Sequence, residues 1–222
     1  HHYYFYFSVL LAIFANFSIR KSKHQLFSTF FPDTFHYTDF SLKFGGPVYA
    51  DSQVQLVDAN LSTSAGEPCF TFKARSNEQE VFSGEMSLGA HYPSFKFQSP
   101  KGDSLIDYRS NITGRDVLQF YDLLSVTPVR DVSPFQVAAQ IPAALLQISQ
   151  ERSRTIQGTS RRVHLQFFAP HSEGDYRTEI RLLFTKGNKE NGFIYSIHGV
   201  CYREDRPVVA GSLTVLHPCD LR

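Results

Sequence analysis

The chain has 222 residues, of which 42% are hydrophobic and 19% charged, a composition typical of a folded globular protein and not of a disordered one. A formal net charge of +1 gives no electrostatic reason to expect nucleic acid or an anionic membrane as a partner. Three cysteines without CxxC spacing argue against a disulfide framework and favour a reducing compartment, and we find no zinc-binding pattern.

The opening of the chain, residues 3–17, is mostly apolar and is followed by Arg20, Lys21 and Lys23. It allows two interpretations, a signal anchor or a buried helix. The run is shorter than the roughly 20 residues that cross a bilayer, and its basic residues follow the apolar run instead of preceding it. We therefore predict a buried helix, no membrane span and a cytoplasmic protein.

The first group of strands follows this opening. Residues 37–44 alternate apolar and polar side chains until Gly45, Gly46 and Pro47 break the pattern. The same alternation predicts three further strands, at 52–59, 69–74 and 81–88.

Residues 93–110 are polar and are interrupted by Pro93, Pro100 and Gly102, which predicts a linker. Beyond it, Thr113 with Asp116 three residues later is typical of a helix N-terminus. A second helix is predicted over 137–150, followed by a basic, polar loop over 152–162. Strands then return at 163–167, 176–184, 193–201 and 208–215.

The two groups of strands are similar in sequence. The segment FSLKFGGP at 40–47 resembles VHLQFFAP at 163–170, and FSGEM at 82–86 then falls opposite VAGSL at 209–213. Between them, Phe70 and Phe72 align with Ile194 and Ser196. An apolar, helix-like segment precedes each group. The pattern predicts one unit, a helix followed by four or five antiparallel strands, that is used twice and pairs side by side to cover exposed sheet edges.

The second unit resembles a known family. ITGRDVLQFY at 112–121 and DVSPFQ at 131–136 are similar to the MaoC-like hydratase/dehydratase family, in which a short helix precedes a motif D-x-N-P-x-H. IPAALL at 141–146 and the segment 163–170 resemble that family's central helix and following strand. The resemblance implies an α+β fold, the double hot-dog, with two repeats that each wrap an antiparallel sheet around a central helix.

The resemblance also divides the chain. Residues 1–92 are the expected first hot-dog unit, 93–110 the linker, and 111–222 the second, MaoC-like unit. We expect the first unit to be structural, because no segment like the D-x-N-P-x-H motif precedes its helix.

The implied substrate is an acyl group carried as a thioester on coenzyme A or acyl carrier protein. Its chain would lie between the central helix and the sheet, along Ala143 and Leu146. Arg161 and Arg162 would meet the phosphates of coenzyme A or phosphopantetheine, although a solvated loop is the simpler explanation of these arginines. The resemblance implies no cofactor and no metal, and a duplicated hot-dog can pair again as a homodimer.

The motif itself departs from the family pattern. Asp131 occupies the position of the motif's Asp, Ser133 that of its Asn, and Gln136 that of its His. Glutamine cannot act as a base and can only hold a water or a carbonyl oxygen by hydrogen bonds. A histidine from elsewhere in the chain is an alternative source of the base, and the candidates are His36, His164, His171 and His198.

Three functions remain open at this stage. The first is an acyl-thioester hydratase/dehydratase in which Asp131 is the carboxylate, while Ser133 and Gln136 position water or the carbonyl. The second is a hot-dog thioesterase that uses the same three residues. The third is a non-catalytic acyl-binding or assembly subunit.

Overall fold

The computed structural model describes residues 36–46, 53–64, 67–76, 78–96, 104–123, 132–144, 159–188 and 192–217. In these residues nine strands and two helices have assigned bounds: β1 His36–Phe44, β2 Gln55–Ser64, β3 Glu67–Ser76, β4 Gln79–Gly89, β5 Ser104–Ile112, α1 Gly114–Leu123, α2 Pro134–Ala138, β6 Thr159–Phe167, β7 Gly174–Asn188, β8 Gly192–Arg203 and β9 Arg206–His217. None of the described helices has the length and apolarity needed to span a membrane.

All eight predicted strands are confirmed, as β1–β4 and β6–β9. The predicted start of α1 is also confirmed, because the Asp116 carboxylate accepts hydrogen bonds from the backbone N–H of Thr113 at 2.8 Å and from its hydroxyl at 2.6 Å. These bonds lower the pKa of Asp116. The predicted N-terminal helix lies outside the described residues.

Two loop predictions are wrong in part. The predicted linker 93–110 ends in strand β5, which pairs antiparallel with β7 at the edge of the sheet. One face of an edge strand is open to solvent, so exposed Asp107 and Arg109 gave the segment a polar appearance. Likewise, the end of the predicted loop 152–162 belongs to β6, which begins at Thr159.

The nine strands form one antiparallel sheet in the order β2-β3-β4-β1-β6-β9-β8-β7-β5. The order on one side of the β1–β6 pair matches that on the other, and β5 extends the second side by one strand. Strands β1 and β6, which carry the two similar segments, therefore meet at the centre of the sheet.

The register of the central pair is symmetric. Ser41 lies opposite His164, and the sequence alignment makes these two residues counterparts. Asp39 pairs with Gln166 on one side of them, and Lys43 with Arg162 on the other. A two-fold relation between the halves thus passes through the Ser41–His164 pair.

The neighbouring strands follow the same relation. Leu42 pairs with Gly84 in β4, and its counterpart Leu165 pairs with Gly211 in β9. This confirms the alignment of 82–86 with 209–213.

The alignment of the third strand requires a correction. Phe72 had been aligned with Ser196, but Phe72 lies opposite Gly84 and Gly199 lies opposite Gly211. The counterpart of Phe72 is therefore Gly199. The error arose because β8 carries apolar residues at both alternating positions, so its pattern fits more than one register.

One face of the sheet holds the core. In β1, the side chains of Phe40, Leu42 and Phe44 are buried and alternate with the more exposed Ser41 and Lys43. A single cluster of buried apolar residues runs through both halves of the sheet and includes Phe135, Val137 and Ala138 of α2. Each large side chain buried there stabilises the fold by about 1.5–3 kcal/mol.

A notch in this face receives the chain that follows α2. Gly199 and Gly211 lie opposite each other, and a Cβ at either position would approach Ile141, to within 2.6 Å at Gly199 and 3.0 Å at Gly211. In the first half the ring of Phe72 lies over Gly84, where an added Cβ would clash with it. The second half thus accommodates a helical segment where the first half carries an aromatic ring.

We expect Gly199→Ala to lower the free energy of unfolding by about 1–3 kcal/mol, because the added methyl group overpacks against Ile141. Urea unfolding measures the effect. In an Ile141→Ala background the same substitution should lower the free energy of unfolding much less. An equal decrease in both backgrounds would show that Gly199 does not make room for Ile141.

The other face of the sheet carries an ion pair across the central strands. His164 Nε2 lies 2.8 Å from Asp39 Oδ2, with the two side chains 36% and 37% exposed, and Gln166 donates a longer bond of 3.3 Å to the same oxygen. The hydrogen bond to Asp39 raises the pKa of His164. A raised pKa means that the charged pair stabilises the folded state below the unfolded pKa of about 6.5.

This contribution should be lost as pH rises through the raised pKa of folded His164. We expect the stability difference between wild type and Asp39→Asn, at most about 1 kcal/mol for so exposed a pair, to be larger at pH 5.5 than at pH 8.5. Denaturant midpoints at the two pH values measure it. A stability difference between wild type and Asp39→Asn that is larger at pH 8.5 than at pH 5.5 would contradict this account of the ion pair.

Candidate functional site

The start of α2 is set by its first two residues. Ser133 is the N-cap, with φ −67° and ψ 137°, and its Oγ accepts a 3.3 Å hydrogen bond from the backbone N–H of Phe135. Pro134 follows at the first helical position, where its missing N–H costs nothing. Ser133 therefore has a structural role, and the cap leaves its hydroxyl hydrogen able to donate to another group.

The helix is interrupted at Ala139 and helical backbone resumes over 140–144. Pro142 explains the interruption, since it has no N–H to donate to the carbonyl four residues earlier. The bond from Ala143 N–H to Ala139 O, at 3.1 Å, resumes the helical pattern. The predicted helix 137–150 is thus confirmed as far as residue 144, with an earlier start.

A buried thiol ties α2 to the sheet. Cys201 Sγ lies 3.6 Å from the carbonyl oxygen of Val137 and 3.3 Å from Thr178 Oγ1. Complete burial raises the pKa of Cys201 to about 12, so this thiol stays protonated and can donate to the carbonyl. Cys201 is structural and does not serve as a nucleophile.

Phe135 lies in an aromatic cluster built from both halves of the sheet. Its ring packs edge-on against Tyr37 at 5.6 Å and Phe40 at 5.7 Å, both from β1. On the other side it meets Phe167, the last residue of β6, at 5.7 Å. The pairing of β1 with β6 therefore brings the motif segment next to side chains of the first half.

Gln136 is buried beside this cluster, with 6% of its surface exposed. Its Oε1 has no hydrogen-bond partner within the described parts of the chain. Leaving a buried acceptor unpaired costs about 1–3 kcal/mol. Such a group is suited to accept a hydrogen bond from a bound molecule or from water.

Three of the four candidate histidines lie away from this helix. His36 stacks on Tyr92 at 4.5 Å. His164 is paired with Asp39, and His198 lies 2.9 Å from Ser196 Oγ; both histidines are on the sheet face opposite the helix, because their strand neighbours on the helix side are buried.

His171 is different from these three. Its ring packs against Phe167 at 6.0 Å, and both ring nitrogens are shielded from solvent without a hydrogen-bond partner among the described residues. Burial lowers the pKa of His171 to about 4. The ring is therefore neutral at physiological pH.

The remaining predicted site residues are less central. Asp131 and Leu146 lie outside the described residues, and Ala143 is half-buried in the helical turn after Ala139. Arg161 and Arg162 are exposed in β6 and not in a loop. Arg162 lies opposite Lys43, on the face away from the helix.

A cleft of about 610 Å³ lies at the far edge of the sheet, lined in part by Arg109, Asp175 and Tyr202. The side chain of Arg177 crosses it, bound to Glu179 at 2.6 Å and placed 4.5 Å over the Tyr202 ring. The described residues contain no group of three or more potential metal ligands that could hold an ion.

No protein-family model matches the sequence, and no curated protein is significantly similar to it. Solved structures do share its fold. A MaoC-like dehydratase from Phytophthora capsici matches with a TM-score of 0.54 and 10% identity, over 85% of this chain and 74% of the other. A 12:0-ACP thioesterase from Umbellularia californica matches with 0.55 and 9%, over 82% and 72%.

A third structure, a conserved protein of Mycobacterium tuberculosis described as having a double hot-dog fold, matches with a TM-score of 0.58 and 10% identity, over 95% of this chain and 80% of the other. At these identities the likeness concerns the fold. The chain is a hot-dog-type protein with one large antiparallel sheet and few described helices.

We expect Gln136→Met to raise the free energy of unfolding by about 1 kcal/mol, because it removes an unpaired buried acceptor while keeping the side-chain volume. Chemical denaturation tests this. Gln119→Met, at an exposed position of α1, is the matched control and should change stability by less than about 0.5 kcal/mol. Destabilisation by Gln136→Met beyond that would mean that the amide oxygen is bonded in the free protein.

Proposed function

We propose that this chain acts on an acyl group carried as a thioester on coenzyme A or acyl carrier protein, and that it catalyses the reversible hydration of the 2-enoyl thioester. The observation that carries the proposal is Gln136, a polar side chain buried at the start of α2 with an unpaired oxygen. It stands beside an aromatic cluster that suits an apolar acyl chain. The MaoC-like dehydratase and the ACP thioesterase of similar fold support the same substrate class.

We also propose that the two halves are repeats of one hot-dog unit. The symmetric register about Ser41 and His164 supports this, as does the matching strand order on the two sides. The first unit, residues 1–92, would be structural. The second, from 111 onward, would carry the site and would be extended by strand β5.

In this proposal Asp131 is the catalytic carboxylate, while Gln136 and Ser133 hold water or the thioester carbonyl by hydrogen bonds. Ala143 and Leu146 would line the acyl chain. Arg161 and Arg162 would meet the phosphates, and the exposure of both arginines is consistent with that. Because Arg162 faces away from the helix, the phosphates would have to lie around the end of the sheet.

Thioester hydrolysis is the second candidate. It is favoured by the position of Gln136, since a carboxylate with glutamine and a hydroxyl group can activate and hold a water without a histidine in the motif. The fold likeness to an ACP thioesterase points the same way. A non-catalytic acyl-binding subunit is the alternative from a different class.

We further propose a cellular location and an oligomeric state for the protein. The free thiols of Cys69 and Cys201 support a reducing, cytoplasmic location. Leu56, Val57 and Leu61 are each more than 40% exposed on strand β2, at the edge of the sheet. These side chains would be covered in a homodimer.

Two assays with the purified protein separate these functions. Loss of enoyl absorbance from crotonyl- and longer 2-enoyl-coenzyme A reports hydration, and release of free thiol from saturated acyl-coenzyme A reports hydrolysis. We expect hydration, and we expect Asp131→Ala to reduce it at least about 100-fold with an unchanged melting temperature.

Asp122→Ala, which removes an exposed carboxylate from α1, is the control and should retain full activity. Thiol release without hydration would establish the thioesterase. If both assays are silent while acyl-coenzyme A still raises the melting temperature, the chain is a binding module. Full activity of Asp131→Ala would remove that residue from the mechanism.

A further inference from the structure

Beside the proposed carboxylate of Asp131, hydration requires a base that exchanges a proton with carbon, and Gln136, at the position of the motif's histidine, cannot supply it. The structure separates the four candidate histidines by their surroundings. His164 and His198 have polar partners on the opposite face of the sheet, and His36 is stacked on a tyrosine. His171 alone among these four packs into the cluster that contains the motif helix.

One aromatic ring connects His171 to that helix. The imidazole lies against one edge of Phe167 at 6.0 Å, and the same phenylalanine meets Phe135 at 5.7 Å and Tyr37 at 6.5 Å. Phe135 immediately precedes Gln136 in α2. His171 is therefore linked through Phe167 to the helix that carries Gln136.

The segment that carries His171 is fixed at both ends. Phe168 N–H donates to the carbonyl of Val208 at 2.9 Å. On the other side, the Tyr176 hydroxyl donates to the carbonyl of Ser172 at 2.6 Å. A catalytic group needs such support, because it must be held in place before the substrate binds.

The ring nitrogens of His171 lack any partner in the described chain. A structural histidine that is buried usually spends at least one nitrogen on a hydrogen bond, because an unpaired buried polar atom is costly. The Oγ atom of the neighbouring Ser172 and Oε1 of Gln136 are also buried without a partner among the described residues. These unpaired atoms are explained together if a bound molecule or its water pairs with them.

We propose that His171 is the acid–base residue of this site, in place of the histidine that the motif lacks. The inference rests on the proposed function. The neutral imidazole that the surroundings enforce is the form that can accept a proton.

A single histidine is sufficient for both proton transfers of this reaction. In the direction of dehydration, an imidazole nitrogen takes the proton from the carbon next to the thioester carbonyl, and the electron pair of that C–H bond forms the double bond as the C–O bond to the hydroxyl breaks. The imidazolium then gives the same proton to the departing hydroxyl, so that water leaves and neutral imidazole is restored. Hydration is the reverse.

Two measurements on the full chain test this inference. The first compares wild type, His171→Gln and the control His198→Gln in the enoyl hydration assay across pH. The second follows the imidazole NMR signals of His171 in the wild-type protein, with and without a non-reactive acyl-coenzyme A thioether, and does not require any variant to fold.

We expect His171→Gln to lower kcat at least about 100-fold while the thioether still raises its melting temperature, and His198→Gln to retain activity. Wild-type kcat/KM should be constant at neutral pH and fall as pH drops through the pKa of His171, and this acid limb should be absent from the variant. The thioether should shift the imidazole NMR signals of His171.

Wild-type turnover in His171→Gln, with the same acid limb, would overturn the inference and leave the proposed function standing. No turnover of any thioester by the wild type would instead overturn the proposed function. In that case, a shift of the His171 signals with the thioether would keep it as a ligand contact, and unchanged signals would reject that as well.

Discussion

The pairing of β1 with β6 is the interaction on which the rest of this structure depends. It joins two sets of strands into one continuous sheet and covers two edges that would otherwise expose unpaired backbone groups. Its register sets which side chains face the helix, since a slip of one residue would turn Phe40 and Leu42 outward and bring Asp39 and Ser41 into the core. The burial of large apolar side chains therefore selects the register that makes Ser41 and His164 partners.

The same pairing creates the candidate site. Tyr37 and Phe40 come from the first half, whereas Phe135 and Phe167 come from the second, and they touch only because β1 lies beside β6. The glycine pair in β8 and β9 then determines how closely the helical segment approaches the sheet. At the place that corresponds to Gly199 the first half carries Phe72, whose ring lies over Gly84.

Period-two alternation made most of the sheet predictable, and Thr113 with Asp116 made the start of α1 predictable, because these signals are local. The linker prediction failed at β5, since an edge strand does not need a regular apolar face. The alignment of Phe72 failed because β8 is apolar at both alternating positions. His171 was only one of four candidate histidines in the sequence. Its unpaired nitrogens and its contact with Phe167 depend on tertiary packing, which no local pattern contains.

Cross-linking of the central strands tests this account most directly. Opposite residues on one face have Cβ atoms about 4.5–5.5 Å apart, close to the separation that a disulfide spans. In a Cys219→Ser background, Ser41→Cys with His164→Cys should form an intramolecular disulfide on mild oxidation. Ser41→Cys with Val163→Cys should not, because these side chains point to opposite faces. Efficient cross-linking of Ser41→Cys with Val163→Cys would contradict the symmetric pairing of β1 with β6. So would a failure of both pairs to cross-link.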